Sequence, residues 1–141
     1  MTRFVGLMVL ALVAAACSNS TEPQHLRFEA RTSVSQSTAI TVQTEVTVTN
    51  DGPTTTQIEV STCPRAIEGF TTPERTGAPL WRIYGGEVCD AAARIRMLGP
   101  GDYYVYNFGP RQMPANLPPA NYYLAVDMGY QLVPAGQFST F

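Results

Sequence analysis

Thr38–Thr62, TAITVQTEVTVTNDGPTTTQIEVST, is the stretch whose reading decides the fold. Ile40, Val42, Thr44, Val46 and Val48 fall on every second position, with Thr41, Gln43, Glu45, Thr47 and Thr49 between them. A period of two puts one set on each face of a β-strand. Asn50-Asp51-Gly52-Pro53 then interrupts the run with turn-forming residues. Ile58 and Val60 resume the alternation against Gln57, Glu59 and Ser61, so the stretch reads as a long hairpin. One of its faces is apolar and the other wet, and such a hairpin needs a second sheet to cover it.

Working outward, Leu26, Phe28 and Ala30 alternate with Arg27, Glu29 and Arg31, which predicts a strand to about Val34 and a turn at Ser35-Gln36-Ser37. On the far side, Cys63-Pro64 ends the second strand of the hairpin, because proline cannot donate to a ladder. Ala66 to Phe70 reads as a short edge segment, Thr71 to Pro79 as loop, and Leu80 to Tyr84 as a strand closed by Gly85-Gly86. Asp90 to Met97 is the one stretch with room for a helical turn. Leu98-Gly99-Pro100-Gly101-Asp102 makes a sharp turn into an aromatic strand, Tyr103 to Phe108. Gly109 to Pro119 holds four prolines and reads as an irregular crossover. Asn121 to Met128 is a further strand, and Leu132 and Phe138 close the chain by packing around Pro134-Ala135-Gly136. Seven or eight strands at this spacing predict an all-β antiparallel sandwich. Val46, Val48, Trp81, Tyr122, Leu124 and Val126 are its expected core.

The N-terminal segment is a separate object. Arg3 is followed by FVGLMVLALVAAA, thirteen apolar residues without a charge, which is the pattern of a secretory signal peptide. The run is shorter than the roughly 20 residues of a membrane span. Ala14-Ala15-Ala16-Cys17 resembles the lipobox of bacterial lipoproteins, with Ala14 standing where leucine is commonest. That resemblance implies cleavage before Cys17 and lipid on its sulfur; the plainer alternative is an ordinary cleaved signal with an unrelated cysteine. The chain so divides into a signal peptide (1–16), a lipidated cysteine and polar tether (17–25) and one domain (26–141). Ser18, in place of the aspartate that marks inner-membrane retention in enteric bacteria, points to the outer membrane of a bacterial cell envelope. Cys63 and Cys89 remain as an even pair in an oxidising compartment, where a disulfide is expected. The loop it closes, about 26 residues, gives roughly 3–4 kcal/mol in the chain-entropy account.

The chemistry available is narrow. The chain has no lysine, and without Arg3 it carries eight arginines against eleven acids, a net charge of −3 that argues against nucleic acid as a partner. His25, the only histidine, lies in the tether, so a Ser-His-Asp triad has no base. Once the cysteines pair, no zinc ligand set is left. Glu87 and Asp90 read as a solvated loop rather than an acid/base pair, and Gly99-Pro100-Gly101 lacks the lysine and helix of a phosphate loop. The expectation is a protein without catalytic residues, metal or cofactor.

Two surfaces remain as candidates for binding. Tyr103, Tyr104, Tyr106 and Tyr123 lie on two strands whose outward members would form a patch for a glycan or peptide. Gly109–Pro119 is stiffened by its prolines, and a stiff exposed loop is what a proteinase inhibitor inserts into its target. Arg111, Gln112 and Met113 would then be the binding loop, with Arg111 or Met113 in the specificity pocket.

Val46-Thr47-Val48-Thr49-Asn50, Leu80-Trp81-Arg82, Leu98-Gly99-Pro100-Gly101-Asp102 and Leu117-Pro118-Pro119-Ala120-Asn121-Tyr122 occur in an order that resembles the immunoglobulin-like domain of the BsuPI family, named for an intracellular proteinase inhibitor. The resemblance covers about Thr44 to Met128. Asp102 stands where the family often has glutamate, Ala120 where it has glycine, and no inhibitory residue carries over. It implies an immunoglobulin-like sandwich in which Tyr122 forms a tyrosine corner, its hydroxyl bonded to backbone upstream. The functional expectation is a lipid-anchored, non-enzymatic module, its partner an envelope protein, a glycan or a protease, with proteinase inhibition as the alternative.

Overall fold

The computed structural model describes residues 25–60, 65–84 and 94–141. Cys17, Cys63, Cys89, Glu87 and Asp90 lie outside these residues, and so do the lipidation and disulfide expectations attached to the cysteines. Every regular element among the described residues is a strand: β1 (Leu26–Gln36), β2 (Ile40–Asn50), β3 (Thr56–Glu59), β4 (Ala66–Phe70), β5 (Trp81–Tyr84), β6 (Ile95–Leu98), β7 (Tyr103–Gln112), β8 (Asn121–Asp127) and β9 (Leu132–Ser139). They form an antiparallel sandwich of nine strands, one or two more than the sequence predicts. One sheet has the order β1-β2-β7, the other β5-β4-β8-β9, and β3 and β6 make a two-stranded ribbon.

β2 is the centre of its sheet, as its alternation demands. Val42, Val46 and Val48 are fully buried, while Gln43 and Glu45 face water. The opposite sheet supplies Ile67, Trp81, Tyr122, Leu124, Val126 and Val133 to the same core, and Tyr106 and Phe108 enter it from β7. Each buried aliphatic side chain contributes about 1.5–3 kcal/mol by leaving water.

The hairpin reading of Thr38–Thr62 is corrected. β2 pairs with β1 and β7, whereas β3 pairs with β6 in the ribbon. Period two assigns a face to each residue but names no partner strand, and the Asn50–Pro53 turn carries the chain out of the sheet. β1 also runs two residues beyond Val34, to Gln36, so the turn starts later than read. Ala66–Phe70 is not an edge: β4 lies between β5 and β8, and all five of its residues are buried. Ile95–Met97, placed by the sequence at the end of a helical turn, and Leu98, placed in the turn that follows, form strand β6.

Gly109–Pro119 is corrected in part, since β7 continues through Gly109, Pro110, Arg111 and Gln112. A register shift between Val42 and Thr44 absorbs the two residues Gly109 and Pro110. Gly109 sits there at φ +100°, and a Cβ on it would lie 2.7 Å from the Val42 carbonyl oxygen, so a glycine is required. Pro110 is tolerated because β7 is an edge strand. A second shift, at Leu124/Ala125 opposite Gly136, explains why β9 buries Val133 and Ala135 but then Phe138, off the period of two.

Candidate functional site

The two sides of the sandwich differ. On one side β1 lies against β9, and the Gln36 amide donates to the Ser139 carbonyl at 3.3 Å. The strand orders then leave β7 and β5 as the edge strands on the other side, and the β3–β6 ribbon runs on from β6 into β7. β6 and β7 are linked by Gly99–Asp102, a tight turn in which the Asp102 N–H donates to Gly99 O (3.0 Å) and the Gly99 N–H donates to the Asp102 carboxylate (2.9 Å). A hairpin would continue from this turn as two bonded strands. Instead the strands part.

Asn50 sits where they part. It is 1% exposed, and its Nδ2 donates to Leu98 O at 2.9 Å and to Thr54 O at 2.7 Å. Its Oδ1 accepts from Gly52 N at 3.0 Å, its own N–H donates to Asp102 O at 2.9 Å, and its carbonyl accepts from Gly101 N at 2.8 Å. The side chain thus holds the last carbonyl of β6, a strand that among the described residues pairs with β3 alone. Between β6 and β7 opens a groove of about 560 Å³, lined by Arg96, Met97, Leu98, Asp102, Tyr103, Tyr104 and Val105. That volume lies within the usual range of ligand sites.

A column of rings and guanidinium groups runs inward from this groove. Arg96 stands over Tyr104 with its Cζ 5.3 Å from the ring centre. Tyr104 meets Tyr106 edge to face at 4.9 Å, and Arg65 covers the Tyr106 ring at 4.5 Å. Arg65 is 5% exposed and donates to Glu59 O (2.9 Å) and Met128 O (3.3 Å), while the Tyr106 hydroxyl donates to the same Glu59 carbonyl at 2.6 Å. Burial pushes the Tyr106 hydroxyl up to about 12, against a smaller opposing pull from Arg65, and burial likewise raises Tyr130. Both phenols are therefore neutral hydrogen-bonding groups in the physiological range. At the mouth, Met97 and Tyr103 are 58% and 63% exposed.

The residues singled out by sequence are scattered. Arg111 and Gln112 are paired in β7 against Val42 and Thr41, and Met113 is 4% exposed with its N–H donating to Ile40 O. None of the three lies on a projecting loop, so an inhibitory insertion would have to unpair a strand and extract a core methionine. The four tyrosines do not form one patch, because β7 and β8 belong to opposite sheets. Tyr103 is exposed, Tyr106 is in the core, and the Tyr123 ring lies under Arg75 (5.8 Å). His25 is exposed and abuts the Asn50–Gly52 turn, its carbonyl accepting from Asp51 N at 2.8 Å.

Tyr122 does what a tyrosine corner requires, donating to Pro118 O at 2.6 Å. Elsewhere Glu68, 4% exposed, is closed off by the Arg82 Nε at 2.7 Å, with Asp127 beyond. Among the described residues no group of three or more His, Cys, Asp or Glu side chains is placed to hold a metal ion. Sequence reasoning took Asn50 for a turn residue and passed over Arg65 and Arg96. The Asx turn from Asn50 Oδ1 to Gly52 N was readable, but nothing local announces a partner at Leu98. A scan of protein-family models, a search of curated proteins and a search of solved structures each found no match.

Proposed function

We propose that this chain is a lipid-anchored, non-enzymatic module of the bacterial cell envelope that holds a partner in the groove between β6 and β7. The observation that carries this reading is the parting of the two strands at Asn50. A buried amide is spent on keeping open a groove whose mouth is lined by Met97 and Tyr103. Rigid, partly exposed aromatics beside a cationic side chain are common at binding sites. His25, the first described residue, lies at the groove's end of the domain. Eight residue steps from Cys17 to His25 span at most about 28 Å, and His25 packs on the turn that holds the Gly99–Asp102 apex. Such a tether keeps the groove close to the membrane.

Two measurements on the full chain test this. A palmitate analogue is expected to label the wild type and not Cys17→Ala. A photo-crosslinking residue at position 103 is expected to capture one defined envelope component in cells, whereas the same residue at position 31, on the polar outer face of β1, captures none. Equal labelling of both proteins would remove the lipid anchor. Equal capture at both positions, or none at 103, would remove the groove as the binding site.

A further inference from the structure

The occupant of the groove follows from the groups it presents. We propose that it is an extended acidic peptide segment of an envelope protein, added as a strand to the outer edge of β7; this rests on the reading of the groove as the binding site. Among the described residues β7 is bonded to β2 along one edge and to no strand along the other. An open strand edge is a row of N–H and C=O groups at regular spacing, and an extended polypeptide is the partner that satisfies such a row in register.

Other edges of the sandwich are covered or short. β1 is covered by β9, and β5 has only four residues. The β7 edge from Tyr103 to Phe108, YYVYNF, carries neither charge nor proline, the two usual devices that keep foreign strands away. Those devices begin only at Pro110 and Arg111.

Charge selects the sequence of the guest. Arg94, just before β6, and Arg96, on it, are exposed and form no ion pair among the described residues. The one carboxylate lining the groove, that of Asp102, accepts the Gly99 N–H. A guest strand in the groove would alternate its side chains, acidic ones toward Arg96 and apolar ones toward Met97 and Tyr103. A second copy of this chain would bring to the groove the strand YYVYNF, which has no acid to offer.

The test uses the full chain in detergent micelles and an eight-residue peptide of alternating glutamate and valine, followed by fluorescence anisotropy. Binding is expected to weaken at least tenfold when alternate peptide nitrogens on one edge are methylated, when lysine replaces glutamate, and when the protein carries Arg96→Gln. Undiminished binding of both methylated peptides, one for each edge, would show that no strand pairing occurs and overturn the proposal. So would undiminished binding to Arg96→Gln. The exposed position of Arg96 keeps folding out of the comparison, and the methylated peptides leave the protein untouched. If capture at position 103 persists but the peptide does not bind, while a chitin oligosaccharide or a phosphatidylglycerol vesicle does, the groove stands as a site and the strand proposal falls. Self-association of the chain that is blocked by Tyr103→Lys, without peptide binding, would overturn it in favour of a second copy.

Discussion

The two sides of this sandwich are held in different ways. Where β1 meets β9, support is duplicated. The Pro118 carbonyl accepts from both the Tyr122 hydroxyl and the Thr140 hydroxyl, and Thr140 and Ala120 exchange two further bonds. Where β6 parts from β7, one residue is the hub: the Asn50 amide serves three backbone groups, and its own N–H and carbonyl hold Asp102 and Gly101. Duplicated bonds resist any single loss, whereas one hub transmits a loss to everything it ties. The open side is thus both the candidate site and the side whose shape rests on one residue.

Removing the hub should give the largest effect. Asn50→Ala takes the partner from Leu98 O and Gly52 N, both in buried bonds, and from Thr54 O, which water can reach, at about 1–3 kcal/mol for each group that water cannot reach. A loss on the order of 3–5 kcal/mol is expected in urea melts. A loss below 1 kcal/mol would show that the open side has support beyond Asn50. Gly69→Ala tests the same side in the core. Its Cβ would stand 2.0 Å from Cε2 of Trp81, on the edge strand β5, so overpacking of about 1–3 kcal/mol is expected. Trp81→Leu in the same chain should recover part of that loss by vacating the space.

A third measurement sharpens the comparison by pH. The Tyr106 hydroxyl is raised from 10.0 to about 12. A raised acid holds its proton more tightly in the folded chain, so its contribution is complete below pH 10 and disappears as pH rises toward 12. In an ultraviolet titration, the wild type minus Tyr106→Phe should show one phenol ionising near 12; a difference curve centred at 10 would place the ring in water. The smallest effect is expected on the duplicated side. Tyr122→Phe removes one of two donors to Pro118 O and should cost about 1 kcal/mol. A loss as large as that of Asn50→Ala would abolish the contrast.

Legibility in the sequence follows the same division. β2 and β8 each have one face in the core, so period two marked Val46, Val48, Tyr122, Leu124 and Val126 correctly. The tyrosine corner was legible because its donor and acceptor are four residues apart. β4 was misread because neither of its faces is wet: Gly69 is covered by Trp81, and Glu68 is buried against Arg82, so no alternation survives. The groove was not legible at all. Its apex depends on a bond across 48 residues from Asn50 to Leu98, and its column joins Arg65 and Arg96 to rings on a third strand. Gly109 and Pro110 look like loop signals unless the register shift that uses them is known.

The separation of Asn50 from its partners has a consequence in time. β1 and β2 meet through a three-residue bend and can zip early, since short closures are fast. Asn50 is in place at the end of that hairpin, but its partner Leu98 lies 48 residues further along the chain, a longer and slower closure. Contacts that close last contribute little to the folding rate and set how fast the chain unfolds. In hydrogen–deuterium exchange the amide of Gly101 should therefore open ahead of those of Val46 and Leu124. The apex of the groove would breathe through excursions that leave the rest of the sandwich folded.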